Sequence, residues 1–198
     1  MKEWSYLPSK VISGGQTGAD RAGLDAALHF SIPHGGWCPK GRRSEDGPIS
    51  KRYKLQETEE SGYVMRTIFN AEEADGTIIF AYNPNSPGTR CTVQALDEAD
   101  RPYILLDLNG VPIEEAITYV VDFIRRFQVE VLNIAGNRES SAPGITDQVR
   151  RILLEAFSKK VERGGSGNTQ IRDGQGSGDA PRRASTPNWG GGFRPKHS

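Results

Sequence analysis

The run Ser13-Gly14-Gly15-Gln16-Thr17-Gly18-Ala19-Asp20 follows the β-branched pair Val11-Ile12 and precedes a helical pattern with Leu24, Ala27 and Leu28 on one face. A strand, a glycine-rich turn and a helix N-terminus in succession make an anion site. Glycines let backbone N–H groups approach a ligand closely, and the positive end of the helix dipole favours negative charge. The chemistry implied is binding of a phosphate or other oxyanion by Gly14, Gly15, Gln16, Thr17 and Gly18. The spacing fits neither GxxxxGK[ST] nor GxGxxG. A tight βα turn whose glycines only relieve backbone strain is the plainer alternative.

Two further turns have the same character. Pro87-Gly88-Thr89 opens a helix carrying Val93 and Leu96, with proline setting the turn and Thr89 able to cap the helix or bond a ligand. Gly136-Asn137-Arg138-Glu139-Ser140-Ser141 leads to Pro143 at the start of the last helical pattern. There Arg138 offers a planar fork for phosphate, and Ser140 and Ser141 offer hydroxyls. An Arg–Glu surface pair with a serine cap explains the same residues without a ligand. Asp20 and Glu139, beside these turns, are candidates to read the polar edge of a ring or a ribose hydroxyl, or to act as acid or base. For Asp20 the dipole of its own helix is an equal explanation.

These residues need a frame that brings them together. Apolar, β-rich runs predict strands near Lys10–Ser13, Pro33–Trp37, Thr77–Tyr82, Tyr103–Asp107 and Val129–Ala135. Helical periodicity fits Ala19–Phe30, Gly62–Ala74, Thr89–Ala99, Pro112–Phe127 and Pro143–Phe157. Strands alternating with helices predict an α/β fold: an open, doubly wound, mainly parallel five-stranded Rossmann-like sheet with helices on both faces. Ligands in such sheets bind beyond the carboxyl ends of the strands, where all three turns fall. The long polar segment Cys38–Ser61 reads either as a lid or wall there, with Lys40, Arg42 and Arg43 as residues that fold over a ligand, or equally as a solvated excursion.

Composition narrows the function classes. The chain has 25 basic and 25 acidic residues, but eight basic against three acidic fall from Ser158 onward, leaving a body of 17 basic and 22 acidic. An acidic body argues against a folded nucleic-acid grip. No apolar run is long enough for a membrane span and no export leader is visible, so a cytoplasmic protein without membrane contact is expected. Cys38 and Cys91 follow no zinc spacing, and no metal site is expected. Residues 1–9 read as a lead-in and 10–157 as the domain. The Gly/Ser/Arg-rich stretch 158–198 is expected to be disordered, with loose nucleic-acid contact through Trp189 and Arg194 as the weaker option. A free sheet edge leaves homo-oligomers open.

The motif Ser13-Gly14-Gly15-Gln16-Thr17-Gly18-Ala19-Asp20-Arg21-Ala22-Gly23-Leu24-Asp25 resembles the molybdenum carrier family, a circularly permuted branch of the SLOG superfamily of Rossmann-like nucleotide-binding domains. Gly35-Gly36-Trp37-Cys38-Pro39-Lys40-Gly41-Arg42-Arg43, Glu45-Asp46-Gly47, Arg66-Thr67, Asn70 and Gly136-x-Arg138-Glu139-Ser140 extend the resemblance over roughly Lys10–Phe157. The resemblance implies that the last strand and its loop fill a place that unpermuted relatives fill from their N-terminus. It also implies a phosphate-containing small molecule as partner: the molybdenum cofactor (molybdopterin) or a nucleotide derivative, held by a carrier or binding protein. The alternative is a hydrolase or transferase acting on a nucleotide N-glycosidic or sugar-phosphate bond, with Glu139 or Asp20 as its acid–base group. The related Lonely Guy phosphoribohydrolases look like PGGxGTxxE at the turn that is Pro87-Gly88-Thr89 here. In this chain Arg90, Cys91 and Thr92 follow, which departs from the hydrolase pattern. Pro87 also replaces a glycine usual in the family, and Asn137 stands where proline is common.

Overall fold

In a computed structural model, which describes residues 7–159 and 188–190, alternating strands and helices build a central sheet with helices on both faces. Trp37–Cys38 with Gln56–Glu57, and Arg43–Ser44 with Gly47–Pro48, pair separately from it. In chain order the elements are β1 (Lys10–Ile12), α1 (Ala19–His29), β2 (His34–Gly35), β3 (Trp37–Cys38), β4 (Arg43–Ser44), β5 (Gly47–Pro48) and β6 (Gln56–Glu57). They continue with α2 (Tyr63–Glu73), β7 (Gly76–Ala81), α3 (Pro87–Glu98), β8 (Tyr103–Asp107), α4 (Ile113–Phe127), β9 (Val131–Gly136), α5 (Ile145–Ser158) and β10 (Asn188–Gly190).

The sheet runs β10-β8-β7-β9-β1-β2. Five strands from β8 to β2 are mutually parallel, and β10 pairs antiparallel with β8 at the edge. β10 comes from the stretch 158–198 whose composition predicts disorder; of that stretch Ser158 ends α5, and residues 160–187 and 191–198 lie outside the described residues. The chain winds outward through β2 on one side and β8 on the other, then returns with β9 between β1 and β7. That reversal puts a crevice at the carboxyl ends of β1, β9 and β7.

Alternation along the strands divides the core. Ile78, Phe80, Ile104, Leu106, Leu132 and Ile134 share one cluster with the buried faces of α1, α4 and α5. Ile79, Tyr103 and Leu105 meet Ala71 of α2 and Ala95 and Leu96 of α3 on the other face. A fully buried Ile or Phe here contributes about 1.5–3 kcal/mol of apolar burial. Among the described residues no helix is long and apolar enough to cross a membrane.

Several boundaries differ from expectation by a residue or two, and three of them have a clear local reason. The expected second strand breaks at Gly36, whose φ is +111° and where a Cβ would lie 2.4 Å from the Ser13 carbonyl oxygen. Helix α3 starts at Pro87 because Ser86 caps it, accepting the Thr89 N–H at 3.2 Å. Helix α5 starts only after Gly144, in the left-handed region at φ +87°.

Candidate functional site

The three predicted turns meet at one rim of the sheet. Gly18, at φ +81°, lies so close to the β9 loop that a Cβ would stand 2.3 Å from the Asn137 carbonyl oxygen. The Ala19 N–H donates to that same oxygen at 3.2 Å. Asn137 in turn accepts the N–H groups of Tyr82 and Asn83 at 2.9 Å each, and its amide donates to Thr89 Oγ1 at 3.2 Å. Asn137 thereby ties β1, β9 and β7 together.

Thr89 supports this rim rather than lining it. It is buried, its N–H is held by Ser86, and its hydroxyl lies 2.9 Å from Ser86 Oγ. Gly88 is exposed outside the cleft, and Gly136 is packed against the Phe80 carbonyl.

Segment 38–61 is an ordered wall with a small core of its own. Ile49, Tyr53 and Leu55 pack with Cys38 on Leu24 of α1. Arg42, expected to fold over a ligand, instead holds the wall's turns. Its guanidinium donates to the carbonyls of Ile49, Ser50 and Tyr53 at 2.9 Å each and of Leu55 at 3.3 Å. Lys40 and Arg43 are exposed and lie outside the cleft lining. The wall turns Glu45, Asp46, Ser50 and Arg52 inward instead. With Thr17, Gly18, Arg21 and Asp25 from the first turn and α1, and Glu139, Ser140 and Thr146 from the β9 side, they line a cleft of about 890 Å³.

At the head of the cleft the Glu45 carboxylate is held by donors from two other loops. Glu45 Oε1 accepts the Ser140 N–H at 3.0 Å and a short hydrogen bond from Thr17 Oγ1. Its Oε2 accepts the Ser140 hydroxyl and lies 3.8 Å from Arg138 Nε. Gln16 fixes the approach: its Oε1 accepts the N–H groups of Thr17 and Glu45 at 3.0 Å each. Burial pushes the Glu45 carboxyl up, but hydrogen bonds from Ser140 and Thr17 outweigh it and hold the group below the usual range. The Thr17 and Ser140 hydroxyls, the Ser140 N–H and the Arg138 guanidinium thus converge on the Glu45 carboxylate.

A model of the Circularly permutated YpsA SLOG family matches residues 11–157, from within β1 almost to the end of α5. The chain belongs to this family. Among solved structures, this SLOG domain is similar to the "Putative molybdenum carrier protein" of Syntrophus aciditrophicus SB, at 40% identity and a TM-score of 0.73. The similarity covers 77% of this chain and 96% of that one. No curated protein matches the chain.

The two acid–base candidates of the SLOG domain are both engaged. Glu139 accepts the N–H and hydroxyl of Thr146 and the Gly144 N–H, so it caps α5, and these bonds lower its pKa. Asp20 lies behind the glycine loop, 2% exposed, with its carboxylate 2.8 Å from Arg66 Nη1 and 3.2 Å from the Gln16 N–H. Burial raises its pKa against the pull of Arg66. Gly14 is what lets Arg66 reach this far, because a Cβ there would lie 1.5 Å from Nη1. Around the loop, Ser13 Oγ, Gln16 Nε2 and Arg66 Nε are buried and have no hydrogen-bond partner among the described residues.

Sequence reasoning missed Glu45, Asp46 and Arg52 as site residues. The Glu45-Asp46-Gly47 motif is a signal for the first two, but charge complementarity to an anion favours the basic residues of the same loop. In the structure Arg21 meets Asp46 at 2.7 Å and Arg52 meets Asp25 at 2.7 Å, so paired charges line the cleft.

Proposed function

We propose that this SLOG domain is a binding protein for a small molecule bearing a phosphate or comparable oxyanion, held at the seat formed by Thr17, Arg138 and Ser140. The observation that carries this is Glu45, whose carboxylate oxygens accept hydrogen bonds from Thr17 and Ser140 beside Arg138, as an anionic ligand's oxygens would. The neighbouring cleft is the route to the seat. Gly14, Gly15, Gln16 and Gly18 shape the loop, while Thr89 and Gly136 hold the loops in place.

The ligand classes are the phosphorylated pterin of the molybdenum cofactor, carried as cargo, or a nucleotide derivative. The first agrees with the name of the similar solved protein. The seat's N–H, O–H and guanidinium donors suit the oxygens of such a group rather than a bare cation. No His/Cys/Asp/Glu cluster suited to a metal ion occurs among the described residues. Binding without turnover is supported over the hydrolase reading because Glu139 and Asp20 are each committed to a partner.

Calorimetry with orthophosphate and AMP tests the seat. Arg138→Ala is expected to weaken both about tenfold, the scale of one charge-assisted contact. Glu45→Gln is expected to tighten both, because the ligand no longer displaces a carboxylate. If neither the wild-type protein nor Glu45→Gln binds either probe, the oxyanion seat is wrong. Mass spectrometry of molecules co-purifying with the native protein, with metal analysis, identifies the cargo.

A further inference from the structure

We propose that Tyr63 is the stacking platform for a planar heterocycle, of purine or pterin type, attached to the oxyanion that the seat holds. This rests on the oxyanion reading and assigns the residue that reads the rest of the ligand.

Exposed large apolar side chains among the described residues are Leu28, Tyr63 and Val64, and the last two are adjacent in the first turn of α2. Tyr63 is 36% exposed and Val64 57%. Their place relative to the seat is set by Arg138, whose guanidinium carbon is 5.9 Å from the Tyr63 ring centroid while its Nε is 3.8 Å from the Glu45 carboxylate. One arginine therefore borders both the ring and the anion position. The Arg66 guanidinium carbon stands 5.8 Å from the same ring, held by Asp20.

Both distances are at the outer limit of a cation–π contact, about 6 Å. Neither guanidinium covers the ring in the way Arg52 covers Tyr53, at 4.5 Å. The other aromatic rings near the rim are engaged. Tyr53 is buried and donates its hydroxyl to Asp25 at 2.7 Å. Trp37 packs edge-on against Phe69 at 5.1 Å and donates Nε1–H to Glu73 at 3.0 Å. Tyr82 bonds Gln148. An exposed ring flanked by two cations, beside an oxyanion seat, is the arrangement on which a flat π-system stacks while its phosphate bonds the neighbouring arginine.

The test uses the full chain and three probes: orthophosphate, ribose 5-phosphate and AMP. In the wild type AMP is expected to bind about tenfold more tightly than ribose 5-phosphate, the low end of single-base stacking. Tyr63→Ala is expected to erase that difference and leave ribose 5-phosphate binding unchanged. Tyr63→Trp is expected to keep the preference, and its added indole emission should be quenched by AMP but not by ribose 5-phosphate. Equal affinity of the wild type for AMP and ribose 5-phosphate overturns the platform while leaving the seat intact. So does a preference that survives in Tyr63→Ala. If none of the three probes binds, the seat itself fails and the platform with it.

Discussion

Arg66 and Asp20 form the most deeply placed ion pair in the described residues that borders the site, with side chains 17% and 3% exposed. A buried carboxylate is tolerated only while its partner remains. Arg66→Ala is therefore expected to lower unfolding free energy by about 3–5 kcal/mol in urea titrations. The sign of its pH dependence follows from Asp20, whose folded-state pKa is already raised by burial. Without Arg66 it rises further, so the variant binds more protons folded than unfolded. Its stability should fall as pH rises through the carboxylate range, making the deficit larger at neutral pH than in mild acid. A deficit that is the same in mild acid and at neutral pH would show that Asp20 does not carry the effect. Arg66 was legible only as part of a motif string. Its pairing with a residue 46 positions away depends on Gly14 having no Cβ, which no local pattern reveals.

Ion pairs add to the apolar cluster on Leu24 in holding the wall segment to α1. Arg21 donates to Asp46 and to Ser44 Oγ at 2.8 Å, and the Arg21 hydrogen bond, aided by Ser44, lowers the Asp46 pKa to about 2. A carboxyl depressed in the folded wall stabilises that arrangement above its ordinary pKa of 3.8, and the contribution disappears as pH falls toward 2. Amide exchange, corrected for intrinsic rates, should show protection of residues 43–50 declining over that interval. Asp46→Asn should lose protection already at neutral pH, its remaining acid response coming from Glu45. Equal protection of the two proteins at neutral pH would remove Asp46 as the latch. The wall also marks the limit of pattern reading. All five long helices follow from apolar periodicity, and Ile78-Ile79-Phe80 reads directly as a strand covered on both faces. Glu45, by contrast, meets Ser140 across 95 positions, and Arg42, a basic side chain on a long polar loop, reads in sequence as a ligand contact. Which charges of a polar loop face inward depends on tertiary partners, here four carbonyls for Arg42 and two hydroxyls for Glu45.

At the scale of the whole molecule, the family match ends at residue 157, yet the sheet gains a strand beyond it. Asn188–Gly190 pair antiparallel with Tyr103–Leu105 and cover the outer edge of β8. An uncovered strand edge presents unpaired N–H and C=O groups that invite pairing with another copy. The proposed seat lies at the ends of β1 and β9, with β7 between them and β8, so it is separate from that edge of the sheet. Among the described residues, both hydrophobic clusters on its faces are built from residues before 158. Deletion of residues 160–198 is thus expected to leave the fold and phosphate affinity unchanged while uncovering β8. Light scattering after size exclusion should then show a concentration-dependent dimer that the full chain lacks, and a charged substitution at Leu105, half-buried in β8, should suppress it. A deletion variant that stays monomeric at every concentration would mean that β10 does not guard this edge. Loss of phosphate affinity on the same deletion would mean that the seat needs more than the family domain supplies.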